Sequence, residues 1–104
     1  MPTEKRHHER VPAMLEAVWE GASGLNHARL SDLSLGGCYL DTIGEATVGE
    51  TINFKVRIPA GHWLPLRGEI IYCQRGVGLG VRFPNLTEGY RKLLSQLIDD
   101  LRAK

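Results

Sequence analysis

Hydrophobic and polar positions alternate along most of this chain. The pattern is cleanest over 51–59, where Ile52, Phe54, Val56 and Ile58 are interleaved with Thr51, Asn53, Lys55 and Arg57. That is the period of a strand with one face in a core and the other in solvent. Over 11–20, Val, Met, Leu, Ala and Trp run into Gly21-Ala22-Ser23-Gly24, which predicts a strand, a turn and a first hairpin. Ala28 and Leu30 then alternate with His27, Arg29 and Ser31, and Ser34-Leu35-Gly36-Gly37 precedes Cys38-Tyr39-Leu40. Two strands joined by a tight glycine turn fit this stretch. After the break at Pro59-Ala60-Gly61, residues 63–74 predict another long strand. Residues 76–83 place Val77, Leu79, Val81 and Phe83 on one face and Gly78 and Gly80 on the other, where close helix packing would explain the glycines.

Only the last segment changes period. Tyr90, Leu93, Leu94, Leu97, Ile98 and Leu101 recur at the spacing of an amphipathic helix. Thr87 suits its N-cap, Glu88 its first turn, and Arg102 and Lys104 its end. About six strands with frequent turn signals, then one helix, predict an all-β fold: an antiparallel barrel covered by that helix. Residues 1–10 have no periodic apolar face and read as a flexible N-terminal arm, with the ordered domain over 11–104.

Composition narrows the function. At 104 residues, 42% hydrophobic and 24% charged, the chain has the makeup of one globular domain. Its formal charge of +1 supplies no field for a long polyanion such as DNA or RNA. Yet Lys5-Arg6-His7-His8-Glu9-Arg10 gathers three cations and two histidines, which points locally to a small anionic partner. No run approaches the roughly 18 apolar residues needed to span a bilayer, and no secretory h-region precedes the domain. A cytoplasmic protein is expected. Cys38 and Cys73 lack metal-finger spacing and read as reduced strand residues, and the four histidines have no ligand spacing either.

Two short patterns carry chemistry. Arg6 and Arg10 stand four residues apart, and Asp32, Ser34, Gly36 and Gly37 fall at a strand junction. Guanidinium groups make bidentate bonds to phosphate oxygens or to O6 and N7 of guanine. A carboxylate accepts from the N1–H and 2-amino donors of guanine's Watson–Crick edge, and a hydroxyl does either. Gly36 and Gly37 would allow a turn with positive φ and close approach of a ligand. Alone, the arginines would read as a solvated tail and the second stretch as an ordinary turn; their pairing argues for a guanine-nucleotide site. Glu9 could pair with either arginine, a contact worth only about 0–1 kcal/mol when exposed. Trp19 and Trp63 read as core or helix-contact residues and stay outside the site.

Arg6 to Arg10 as RxxxR, followed by Asp32 to Gly37 as DxSxxG, resembles the signature pair of PilZ domains. Gly78-Leu79-Gly80-Val81-Arg82-Phe83 is similar to that family's late barrel strand. The resemblance implies a six-stranded antiparallel β-barrel with a C-terminal helix that binds the bacterial second messenger cyclic di-GMP. It implies contacts from Arg6 and Arg10 to guanine and phosphate, contacts from Asp32 and Ser34 to guanine, and Gly37 as turn residue. Lys5 before the motif is the feature with which similar proteins hold two stacked ligands instead of one. No cofactor beyond the ligand and no metal are implied. Ligand would fold the arm onto the barrel, and a downstream protein would read that change; the chain itself would be a monomer or weak homodimer. The alternatives are a PilZ-like adaptor that does not bind nucleotide, a single-strand nucleic-acid barrel, and an enzyme. The nucleic-acid barrel would need a basic groove interleaved with aromatics, and the enzyme an identifiable nucleophile and base. The sequence offers neither.

Overall fold

The computed structural model describes residues 9–22 and 24–103. They form β1 (Val11–Gly21), β2 (Gly24–Leu33), β3 (Gly37–Asp41), β4 (Thr51–Arg57), β5 (Trp63–Gln74), β6 (Gly78–Arg82) and α1 (Glu88–Arg102). All neighbours pair antiparallel in the order β1-β2-β3-β6-β5-β4. The barrel closes because β1 also pairs with β4, Ala17 facing Val56 and Trp19 facing Phe54. Closure leaves no open sheet edge there to recruit another chain. This is the predicted fold class, with strand limits close to those read from the alternation.

The strand period fills the barrel. Ile52, Phe54 and Val56 of β4 are buried while Thr51, Asn53, Lys55 and Arg57 are exposed. Trp19, Leu30, Leu40, Ile70 and Leu79 are fully buried around them. The Trp19 indole carries an N–H that must be satisfied inside. Its Nε1 donates to Thr42 Oγ1 at 3.1 Å, and that hydroxyl donates to the His27 carbonyl at 2.8 Å.

Helix α1 begins as predicted. Thr87 Oγ1 accepts from the Tyr90 N–H at 3.2 Å, Glu88 lies in the first turn and Arg102 in the last. Leu94, Leu97 and Ile98 join the barrel core, with Tyr90 and Leu101 partly buried against it. Leu93 is exposed instead: at about 100° per residue it lies on the flank of the stripe centred on Leu94 and Leu97.

Three β-bulges interrupt the alternation at one level of the barrel. Each adds one residue to a strand and shifts the register beyond it. One falls between Pro12 and Leu15 of β1, where Met14 has φ 55°. The second falls at Ser31 of β2 and the third at Ile71 of β5. Buried Leu30 and Leu33 are therefore three positions apart, and Asp32 between them turns outward. In β5, Ile71 and Tyr72 both face solvent for the same reason.

Two expectations for the sixth strand are corrected. Val77 belongs to the preceding turn, its N–H bonded to the Gln74 carbonyl, and is exposed. Gly78 and Gly80 do not accommodate the helix. A Cβ on Gly78 would meet the Tyr39 ring at 2.6 Å, and one on Gly80 would meet Tyr72 Cβ at 3.1 Å. The glycines leave room for two tyrosines on the barrel's outer surface.

Candidate functional site

The site residues within the described chain gather where β1 begins and β2 turns into β3. Pro12 faces Asp32 across the β1–β2 ladder, so Arg10, just before the strand, lies beside that carboxylate. Arg10 Nη1 donates to Asp32 Oδ1 at 2.6 Å, with the two side chains 51% and 34% exposed. An exposed pair of this kind contributes about 0–1 kcal/mol to stability. Its chemical consequence is larger. One bond occupies a single donor of the guanidinium fork and part of one carboxylate oxygen, so each group keeps further hydrogen-bonding capacity.

Ser34 has a different situation from Asp32. It is buried, and its Oγ accepts from the N–H groups of Gly36 at 3.1 Å and Gly37 at 3.2 Å while donating to the Gly37 carbonyl at 3.4 Å. Both acceptor sites and the single donor of the hydroxyl are thus occupied inside the turn. The Ser34 N–H also donates to the Gly37 carbonyl at 2.9 Å, and the Gly36 carbonyl accepts from the Phe83 N–H at 2.9 Å. The loop is thereby tied to β6.

Gly37 does not need positive φ, contrary to the expected turn; the left-handed glycines are Gly24, Gly49, Gly61 and Gly76. It is required because a Cβ there would run into the carbonyl oxygen of Val81 on β6. Gly37 lets two backbones approach, and β3 enters the barrel at the right depth as a result.

Outward from Asp32, cross-strand registers place Tyr39, Gly80 and Tyr72 in one row. The rings of Tyr39 and Tyr72 are 6.5 Å apart by centroid, tilted by 40°, with bare Gly80 between their strands. Neither tyrosine was singled out from sequence. The paired glycines at alternate positions of β6 are the signal that something bulky lies over that strand. Tyr39 has its pKa raised, first by burial and then by neighbouring acidic groups, Tyr72 and Asp41 foremost. Beneath the site, burial pushes the Cys38 thiol far above its ordinary range; Asp32 raises it further and Arg10 acts in the opposite sense. Cys38 and Cys73 are free thiols, and Cys38 is no reactive centre at neutral pH.

Among the described residues Glu9 pairs with Arg102 rather than with Arg10: its carboxylate accepts from Arg102 Nη2 at 3.0 Å. The start of the described chain is thus tied to the last turn of α1. Lys5 and Arg6 lie outside the described residues. A groove of about 880 Å³, lined by Met14, Arg29 and Ile43 among others, includes none of Arg10, Asp32, Ser34 or Gly37. Among the described residues there is no cluster of His, Cys, Asp or Glu suited to a metal ion, and no helix is long and apolar enough to cross a membrane.

These features define a class: a small closed antiparallel barrel, covered by a C-terminal helix, with an arginine–carboxylate pair and a glycine turn at its rim. The chain belongs to the PilZ domain family, whose model matches residues 4–100. Its fold is similar to the PilZ domain with c-di-GMP of YcgR from Escherichia coli, with a TM-score of 0.82 and 20% identity over 96% of this chain and 93% of that one. It is also similar to YcgR in complex with c-di-GMP from Escherichia coli, at a TM-score of 0.80 and 20% identity over 96% of this chain and 47% of that one. The Bacillus subtilis inhibitor of motility, MotI/DgrA, gives a TM-score of 0.78 at 14% identity, covering 97% of this chain and 53% of its own. The chain spans about half the length of these two longer proteins. Comparison with curated protein sequences returns no match.

Proposed function

We propose that this chain is a cytoplasmic receptor for cyclic di-GMP that signals by presenting an altered surface to a protein partner. The observation that carries the reading is the Arg10–Asp32 pair held beside the Ser34–Gly37 turn. It sets a guanidinium fork for phosphate or for guanine O6 and N7 next to an acceptor for guanine's N1–H and 2-amino group. The pair also keeps both side chains in place before ligand arrives, which lowers the ordering cost of binding. Membership of the PilZ family and similarity to a barrel solved with c-di-GMP support the ligand's identity.

In this reading Arg10 contacts phosphate and guanine, Asp32 accepts from guanine, and Ser34 acts through the turn that it holds. Gly36 and Gly37 keep the backbone low enough for the ligand to pass. The outward tyrosines offer an aromatic surface to a purine. Arg6 and Lys5 supply further cations from the N-terminal segment, Lys5 favouring a stacked pair of ligands. Ligand closes that segment over the barrel rim, and the Glu9–Arg102 contact carries the closure to α1. The reading assigns the chain binding rather than catalysis.

The test is isothermal titration with cyclic di-GMP against GTP and cyclic di-AMP. A hydrogen bond to a charged group is worth about 1.5–3 kcal/mol, so Arg10→Ala weakens binding about 10- to 100-fold; Arg6→Ala together with Arg10→Ala abolishes it. Absence of saturable, guanine-selective binding would instead favour a PilZ adaptor that works through protein contacts alone.

A further inference from the structure

On the side of the barrel across from the motif, the β4–β5 ladder presents eight outward positions in four facing pairs: Arg57 with Trp63, Lys55 with Pro65, Asn53 with Arg67 and Thr51 with Glu69. β4 and β5 lie diametrically opposite β2 and β3 in the strand order. Three of the eight are cations and one is an acid, and that acid, Glu69, is already bonded to Arg82 on β6. Arg57 has only a 3.8 Å contact with Glu16, both side chains 54% exposed, which neutralises it weakly. The face therefore carries a local positive excess in a chain whose formal charge is only +1.

The cations are also held in place. Lys55 Nζ lies 5.3 Å and the Arg57 guanidinium 6.0 Å from the centre of the Trp63 ring. A cation over an indole gains about 0.5–1 kcal/mol at an exposed site, and that restricts two side chains that otherwise lose rotamer freedom on binding. Beside them, Lys55 and Pro65 border a groove of about 280 Å³ with Val18, the exposed Leu25 and a single acid, Glu20. Asn53 and Pro65 continue into a second groove of about 430 Å³ that reaches Arg67, Leu86 and Tyr90.

From this charge excess, the preoriented cations and the adjoining apolar grooves, we infer that the β4–β5 face is a docking surface for an acidic segment of a partner protein. That segment carries carboxylates for Lys55, Arg57 and Arg67 and an apolar side chain for the groove at Leu25 and Pro65. Carboxylates suit the guanidinium forks of Arg57 and Arg67. Single-stranded nucleic acid is a poorer match, since the indole that would stack on a base already orients two cations. An anionic bilayer would also need exposed apolar side chains to insert, and the outward positions of this ladder offer none beyond Trp63 and Pro65. The inference does not depend on nucleotide binding at the opposite face.

The experiment uses the full chain, isotope-labelled and followed by NMR. It is titrated with a synthetic peptide of Glu and Asp residues around one central Leu, and separately with oligothymidylate and with phosphatidylglycerol vesicles. The peptide is expected to shift the amides of 53–57 and 63–67 and the Trp63 indole, with affinity falling about tenfold between about 50 and 300 mM salt. Lys55→Glu with Arg67→Glu should weaken it at least about tenfold while leaving the melting temperature and the cyclic di-GMP titration unchanged. The inference is overturned by absent shifts, by shifts elsewhere on the barrel, by equal affinity in the double variant, or by tighter binding of the oligonucleotide or the vesicles to this face.

Discussion

Replacing Ser34 with alanine separates two ways in which that residue could matter. In the structure its hydroxyl receives two backbone N–H groups, from Gly36 and Gly37, and gives its proton to the Gly37 carbonyl. Ser34→Ala leaves those donors without their partner while the backbone bond from the Ser34 N–H to Gly37 remains. The Gly37 N–H is buried and the Gly36 N–H partly so. A buried donor stripped of its acceptor costs about 1–3 kcal/mol, and water reaching Gly36 offsets part of its share. The sum expected is about 1–3 kcal/mol. For a domain of this size that lowers Tm by roughly 4–12 °C, measurable by circular dichroism or calorimetry without any ligand. Asp32→Ala is the internal control, because its exposed pair with Arg10 is worth only about 0–1 kcal/mol. If Ser34→Ala melts with the parent chain while cyclic di-GMP binding is lost, the hydroxyl is a ligand contact and the assignment to the turn is refuted.

Three further predictions concern the same region and its supporting core. Thr42→Val keeps the shape but removes the acceptor for the Trp19 indole and the donor to the His27 carbonyl, so denaturant unfolding should show a loss of about 1–3 kcal/mol; an unchanged midpoint would mean that the indole finds another partner. Gly37→Ala places a methyl against the Val81 carbonyl and should cost about 1–3 kcal/mol, with amide exchange accelerated along the β3–β6 ladder rather than at distant β4. The buried Cys38 thiol has its pKa raised from the ordinary 9.0 by burial first and Asp32 second. The folded chain therefore holds that proton more tightly than the unfolded chain does. This contribution is intact below about pH 9 and is lost at up to about 1.4 kcal/mol per pH unit above it. Thermal melts should show that alkaline loss and Cys38→Ala should flatten it, while a thiol reagent should reach Cys38 at neutral pH only after unfolding.

The site was partly legible because its two patterns name residue types whose chemistry fits one ligand. Arg10 and Asp32 belong to separate patterns 22 positions apart, and the structure brings them to 2.6 Å. Ser34 was harder to read: a hydroxyl before two glycines suits a ligand contact and a turn equally well, and its bonds to the Gly36 and Gly37 N–H groups exist only once the turn has formed. Tyr39 and Tyr72 were missed because they lie on different strands, and a single alternation pattern carries no information about which strands are neighbours.

What the sequence determined by itself is what depends on local period and local caps. The alternation at 51–57 dictates a half-buried strand, and the stripe from Tyr90 to Leu101 dictates an amphipathic helix begun at Thr87. Tertiary structure decided the relations between strands. The bulge at Ser31 turns Asp32 outward, the close approach at Val81 demands glycine at position 37, and barrel closure sets the basic β4–β5 face opposite the strands that carry Asp32 and Gly37. A bulge is a mismatch between two ladders, and a close contact belongs to two backbones at once. Neither is a property of a single strand, so each comes into being only when the barrel closes.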